Sequence, residues 1–404
     1  MITSGCCGSP LMTMMLSDSG IVYDSISHCF YCNPRNPVSS VPLKVISLFT
    51  GCGGLDIGLE RAGFDVAACV EIDKDCWNTI EINRQWPIFK EYDGDITKVS
   101  TDELLAFSGL EIGEAALVVG GAPCQPFSNM GKKEGINNQQ EGTLFQHFVR
   151  IVKETQPVGF IFENVSGFLH KKHGEIIEYM KTEFSRLGYS STVALLNAAD
   201  YGVPQTRRRV FIMGRRDGLE VGLPLPKFSE HPKQTERHFE QARIDLPWEI
   251  KKWVTVRDAF DSIPIEALDR PDCLGLKHSD EMKARMDHIS GKMNFKQLPD
   301  HLKPNCWKTG KHQGADTFGR LQWDRPSVTI RTCAYNPSKG RYIHPVENRG
   351  LNTLEMASLQ SFPLEWRFLG SLISVGRQIG NAVPPLLAKE IGNAMRDQLI
   401  DIMD

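Results

Sequence analysis

In GGAPCQPFSNMGKK, residues 120–133, one cysteine stands between two prolines, after two glycines and before a loop that carries a pair of lysines. A thiolate is a strong nucleophile, and a helix start or neighbouring cations lower the pKa of its thiol. A free cysteine is more often a small buried hydrophobe. Pro123 and Pro126 favour the nucleophile reading for Cys124, because stiffening of that kind does nothing for a core filler.

Other groups have chemistry that could work beside it. Glu163 closes the apolar run VGFIFEN (158–164), where a carboxylate is costly unless paired or open to a cleft. It reads as a proton donor or acceptor, or as half of a structural ion pair. In QTRRRVF (205–211) the strand period puts Arg207 and Arg209 on one face. Two guanidiniums there suit an acidic residue or a phosphate, or else protect a sheet edge. FTGCGG (49–54) follows an apolar run but is no phosphate cradle: GK[ST] is missing, and Asp56 stands where GxGxxG needs its third glycine. With Glu71 ending the next apolar run, the turn suits a nucleoside whose ribose needs a carboxylate acceptor. Taken alone, a tight strand–helix turn explains it equally well. Asp95, in YDGDIT, suits an adenine amino group or a solvated turn.

These residues need a frame. KVISLF (44–49), DVAACVEID (65–73), ALVVGG (116–121), VGFIFEN and RRVFIMG (208–214) read as strands, with helical patterns at TLFQHFVRIVKET (143–155) and EIIEYMKTEFSRLG (175–188). Such alternation predicts an α/β fold, a mostly parallel sheet with helices on both faces. Ligands of open parallel sheets sit beyond the carboxyl ends of the strands. The glycine turn, Glu71, Cys124, Glu163 and Asn164 all fall at such ends.

Residues 216–320 break the rhythm, and VGRQIGNAVPPLLAKEIGNAMRDQL restores it. The chain is expected to divide into an unstructured N-terminal extension (1–43), a cofactor-binding catalytic domain (44–215), a smaller irregular domain with its supporting segment (216–375), and a C-terminal helix (376–404) that completes the catalytic domain. Prolines open that helix, where their fixed φ is tolerated.

Composition sets limits. The 404 residues are 41% hydrophobic and 24% charged, ordinary for a soluble globular protein, and the formal charge of -3 makes any basic surface local. GKMNFKQLPDHLKPNCWKTGKH (291–312), with its lysines, Phe295 and Trp307, is the most basic aromatic-bearing interval: a nucleic-acid contact or a solvated face. No run approaches the roughly 20 apolar residues of a membrane span, and no Lys or Arg precedes Arg35. Eleven irregularly spaced cysteines suit reduced thiols in a cytoplasm. Cys29 and Cys32 form a CxxC, but adjacent Cys6 and Cys7 make a poor second pair, so no metal is expected.

Taken in order, FTGCGG, VEID, GDIT, GGAPCQPFS, GTLF, FENV, QTRRR, RPSVTIRT and QIGNAVPP resemble the DNA cytosine-C5 methyltransferase family, of the bacterial or phage modification type. The resemblance spans nearly everything from Lys44 onward except 216–320. It implies a Rossmann-like domain that binds S-adenosyl-L-methionine, a small target-recognition domain, and double-stranded DNA in the cleft between them. Phe49, Gly51, Gly53, Gly54 and Leu55 would floor the cofactor pocket, with Glu71 on the ribose. Ile72, Asp95 and Ile96 would enclose the adenine, and Leu144 and Asn381 complete the pocket. Cys124 would add to cytosine C6, Glu163 would meet N3 and the exocyclic amine, and Arg207 and Arg209 would hold the base and its flanking backbone.

The target base must be flipped out of the duplex for this chemistry. The loop from Ser128 to about Gln140, with Gly131, Gly135, Lys132 and Lys133, would close over the DNA. Pro123, Gln125, Ser128 and Gln205 are expected at the substrate. The resemblance also implies a monomer in the bacterial cytoplasm at the nucleoid, either paired functionally with a cognate restriction endonuclease or acting as a solitary methylase. A tRNA-modifying branch of the family typically has Thr after PCQPF and a Cys-Phe-Thr signature; here Ser128 follows, and 216–320 lacks the signature. A non-catalytic scaffold would be expected to have lost Cys124 or its partners.

Overall fold

The computed structural model describes residues 16–17, 20–21, 42–123, 144–169, 174–308 and 316–403. Leu16–Ser17 (β1) and Gly20–Ile21 (β2) pair antiparallel. The main sheet begins with Leu43–Leu48 (β3), buried along almost its whole length. Burial on both faces is what a central parallel strand experiences, hence an apolar run without alternation. Phe64–Val70 (β4), Leu117–Gly120 (β5), Gly159–Val165 (β6), Ser190–Asn197 (β7) and Arg208–Arg215 (β8) complete it, in the order β4-β3-β5-β6-β8-β7. β3 runs parallel to β4 and β5, and β5 to β6. β8 is inserted antiparallel between β6 and β7.

The α/β reading therefore holds, with two features that it did not contain. β7 was not anticipated: SSTVALLN opens on small polar residues and is only half-buried at first, as suits an edge strand. The direction of β8 is likewise a matter of pairing, not of local pattern.

Along β5, Leu117 and Val119 point to one face and Val118 to the other. Gly54–Arg61 (α1) covers the first face together with a helix from the far end of the chain, Pro385–Met403 (α12). Lys74–Asn83 (α2) follows β4. Thr101–Ser108 (α3), Leu144–Thr155 (α4) and Gly174–Arg186 (α5) cover the opposite face. There Phe160 stacks on Phe184 with centroids 3.9 Å apart, and Phe148 meets Phe162 edge-on at 5.1 Å. Ser100 and Glu103 form a reciprocal capping box that starts α3.

The interval after β8 holds the short parallel pair Phe228–Ser229 (β9) and Lys251–Lys252 (β10), with Pro232–Gln241 (α6) between them in the chain, then Val256–Asp261 (α7), Asp280–Asp287 (α8) and Asn305–Lys308 (α9). Met286, Ile289, Phe295, Leu298, Phe318 and Ile343 make a small core of their own. The later part belongs elsewhere. Thr353–Leu359 (α10) and Leu372–Asn381 (α11) share a core with residues 52–88: Met356, Trp366 and Ile379 pack with Ile57, Trp77 and Trp86. α11 and α12 are separate helices, because Pro384 and Pro385 offer no backbone N–H to continue the first. Asn381 sits at that break.

α1 and α12 approach closely at Gly58, where a Cβ would stand 2.6 Å from Lys389 N, a backbone atom. In an isolated helix Gly→Ala gains up to about 1 kcal/mol. Here Gly58→Ala should instead destabilise by about 1–3 kcal/mol, the range of overpacked cores, measured as a lowered urea midpoint at unchanged m-value. A neutral or stabilising result would contradict this packing.

Candidate active site

The strand order turns back between β3 and β5, and the two strand ends at that point carry the glycine turn and Gly120–Pro123. On the β3 side the backbone takes positive φ at Phe49 (53°), Gly51 (58°) and Gly53 (83°). Phe49 is the costly member, since a residue with Cβ rarely adopts that region. A Cβ on Gly51 would meet nothing within 4 Å among the described residues, which leave open space over the turn, whereas one on Gly53 would strike Trp86 at 2.8 Å and one on Gly54 would reach Val383 O at 2.5 Å. The upper side of the turn is thus free for a ligand and its underside is closed by packing.

Glu71 faces this turn. Its Oε2 accepts from Gly51 N at 2.7 Å and its Oε1 from Asp73 N at 2.8 Å. Burial raises its pKa, and those two N–H donors offset the rise only in part. Ile72 beside it is 63% exposed, a large apolar side chain open to solvent next to a carboxylate. Asp95 accepts from Thr97 N and Thr97 Oγ1 and lies 3.2 Å from Lys98 Nζ. Burial pushes its pKa up, but those contacts outweigh it and hold the carboxyl below its ordinary value. Leu55 and Ile96 are buried, Leu144 is half-buried against the core, and Asn381 is exposed. These residues fit the polar and apolar parts of an adenosyl group, with no phosphate cradle among them.

On the β5 side Glu163 is 8% exposed, and its Oε1 lies 3.0 Å from Arg209 Nε. Burial raises the Glu163 pKa, opposed by the fields of Arg209 and Arg207. Burial also lowers the pKa of Arg209, opposed by Glu163. The direction at Glu163 favours a carboxyl able to hold a proton. A Cβ on Gly121 would lie 2.7 Å from Glu163 Oε2, and Asn164 Nδ2 donates to Ala122 O at 3.2 Å. The chain leading to exposed Pro123 therefore passes directly over Glu163, and a side chain at Gly121 would displace its carboxylate. Cys124, Gln125, Ser128, Lys132 and Lys133 lie outside the described residues.

A family model described as C-5 cytosine-specific DNA methylase matches residues 43–397. The chain belongs to this family. It is 34% identical over 358 residues to the type II methyltransferase M1.HphI of Haemophilus parahaemolyticus, covering 87% of this chain and 86% of that one. It is 31% identical over 369 residues to M.NgoPII of Neisseria gonorrhoeae, covering 90% and 98%. Among solved structures, a DNA modification methyltransferase encoded within an E. coli prophage superposes with a TM-score of 0.64 at 26% identity, covering 89% of this chain and 99% of that chain. The protein is a DNA cytosine-C5 methyltransferase with the α/β fold of S-adenosylmethionine-dependent methyltransferases.

Two residues of this methyltransferase expected at the substrate are buried in the structure. Gln205, expected at the DNA, is instead fully buried: its Nε2 donates to Leu359 O and Gln360 Oε1, and its Oε1 accepts from Ile330 N. Arg207, expected to hold the base or backbone, is also 0% exposed, and its guanidinium faces backbone carbonyls. The segment 327–330 runs alongside them, pairing parallel at Gln205 and Ser327.

Asp56 carried only a negative signal in the sequence, as the residue that spoils a glycine fingerprint. In the first turn of α1 it is 0% exposed, and neither carboxylate oxygen has a hydrogen-bond partner among the described residues. Burial pushes its pKa up to about 6 from 3.8, its polar surroundings opposing only part of that. The folded state thus holds this proton more tightly than the unfolded chain. The associated stability is present below about pH 4 and lost as pH rises through about 6, worth about 3 kcal/mol. Asp56→Asn cannot charge. Urea unfolding at about pH 4.5 and about pH 7.5 should show the wild type losing more stability than the variant over that interval; equal losses would place Asp56 in contact with water or a cation.

Proposed function

We propose that this methyltransferase adds Cys124 Sγ to C6 of a flipped-out cytosine while Glu163 and Arg209 hold the ring. The observation that carries the reading is the buried Glu163–Arg209 pair beside Gly121, three residues before Cys124. Cytosine C5 is a poor nucleophile. Addition of a thiolate at C6 makes C5 an enamine carbon, provided that the charge arriving at N3 is neutralised. A Glu163 carboxyl whose pKa is raised by burial can hold the proton at N3 and accept from the exocyclic amine. Arg209 keeps that carboxyl oriented and balances its charge in the alternate protonation state.

Glu71, Ile72, Asp95 and the turn at Gly51 would hold S-adenosylmethionine, which when bound supplies the electrophilic methyl group that C5 accepts. Loss of the C5 proton and elimination of Cys124 then leave 5-methylcytosine. Lys132 and Lys133 would contact phosphates as their loop closes over the duplex. The substrate is double-stranded DNA carrying one short recognition sequence. The enzyme acts as a monomer in the cytoplasm, at the nucleoid, as the modification partner of a restriction endonuclease or as a solitary methylase.

Two substitutions separate nucleophile from acid. Cys124→Ser should abolish turnover with cofactor affinity near the wild-type value; methyl transfer by a clean preparation of this variant would sink the assignment. Glu163→Gln should lower kcat by roughly 10²–10⁴-fold, the usual worth of a general acid–base group, with cofactor affinity little changed. Bisulfite mapping of 5-methylcytosine on mixed-sequence duplex DNA supplies the recognition sequence. Methylation of tRNA alone would redirect the reading to an RNA substrate.

A further inference from the structure

Arg207 presents an unusual set of partners for an arginine placed two residues from Arg209. Its Nη1 donates to Ile330 O at 2.9 Å, and its Nη2 donates to Gly380 O at 2.8 Å and Ala382 O at 3.0 Å. The two carbonyls taken by Nη2 flank Asn381, the exposed last residue of α11. Gln360 holds the same stretch from another side, with its Nε2 donating to Ile379 O at 2.6 Å and Ala382 O at 3.3 Å. Gln205 Nε2 in turn donates to Gln360 Oε1 at 2.7 Å. The break is wedged by backbone as well: a Cβ on Gly380 would collide with Arg331 C at 2.5 Å, and Gly54 abuts Val383 O.

We infer that Arg207, steadied by Gln205 and Gln360, is a positioning residue for the methyl-donor side of the reaction, fixing the α11–α12 break that presents Asn381. The inference rests on the proposed roles of Asn381 at the cofactor and of Glu163 with Arg209 at the base. Its physical basis is that the last carbonyls of a helix lack N–H partners and form the negative end of the helix dipole. With prolines following α11, no further turn supplies them. A guanidinium satisfies several such carbonyls at once, and a lysine ammonium cannot reproduce the fork. Because Arg207 leads into the strand that carries Arg209, one segment sets both the acceptor pocket and the donor pocket.

The test is Arg207→Lys in the full chain, with S-adenosylmethionine binding measured by calorimetry without DNA, followed by steady-state kinetics. The Kd for S-adenosylmethionine should rise by about 10- to 100-fold, the loss expected for hydrogen bonds to a charged group. At saturating S-adenosylmethionine, kcat should stay within about threefold, and duplex affinity should not change. In an Asn381→Ala background the same substitution should add little, since the residue being presented is already gone. An intact cofactor affinity with a large loss of kcat or of duplex binding would overturn the inference and return Arg207 to the base. Where Arg207→Lys does not fold, Gln360→Met removes the second donor to Ala382 O, and an unchanged cofactor Kd in that variant overturns it equally. Failure of the wild type to bind S-adenosylmethionine would instead remove the reading of the site itself.

Discussion

A carboxylate held out of water at a strand end needs a cation within reach, and Glu163 obtains one only because β8 runs backwards. Parallel addition of the next strand would have set its residues in a different register against β6. Antiparallel insertion pairs Val165 with Arg209 across the ladder and brings the guanidinium onto Glu163. Removing one partner of such a pair costs about 3–5 kcal/mol because the other charge is left buried. The close approach of Gly121 follows from the same arrangement, since a side chain there would occupy the space of the carboxylate. Burial therefore does two things at once: it makes the pair structurally necessary and it raises the Glu163 pKa toward the range where a proton can be held.

The rest of the site depends on segments far apart in the chain meeting without side chains between them. Gly54 touches residue 383, Gly58 touches residue 389, and Gly380 lies on residues 331–332. Each contact sets backbone against backbone, so the floor of the glycine turn is built partly by the last fifth of the chain. The core shared by residues 52–88 and 256–379 has the same consequence. The cofactor side is not a self-contained N-terminal unit. Its shape is finished only when α11 and α12 return to the sheet.

Much of this was legible in the residues. Alternating apolar runs and amphipathic stretches predicted the strands and helices that carry the site; the glycine turn and Glu71 follow strand ends, and Glu163 lies two residues inside the end of β6. β7 escaped because its opening residues are small and polar, as an edge tolerates. The α11–α12 break was visible as a pair of prolines, yet nothing local says that the helix before them belongs to a different core from the helix after them.

The sequence by itself determined which chemical groups stand at the strand ends: a carboxylate after one apolar run, glycines after another, arginines at the start of a third. Those follow from residue type and from the two-residue strand period, which are local properties. Only the tertiary structure decided what each arginine binds. A guanidinium is equally suited to a carboxylate, a phosphate or a set of backbone carbonyls, and the choice rests on which of these comes within about 3 Å. For Arg209 that group is Glu163, a strand neighbour. For Arg207 it is the end of a helix more than 170 residues away in the chain, brought there by packing that no local pattern encodes.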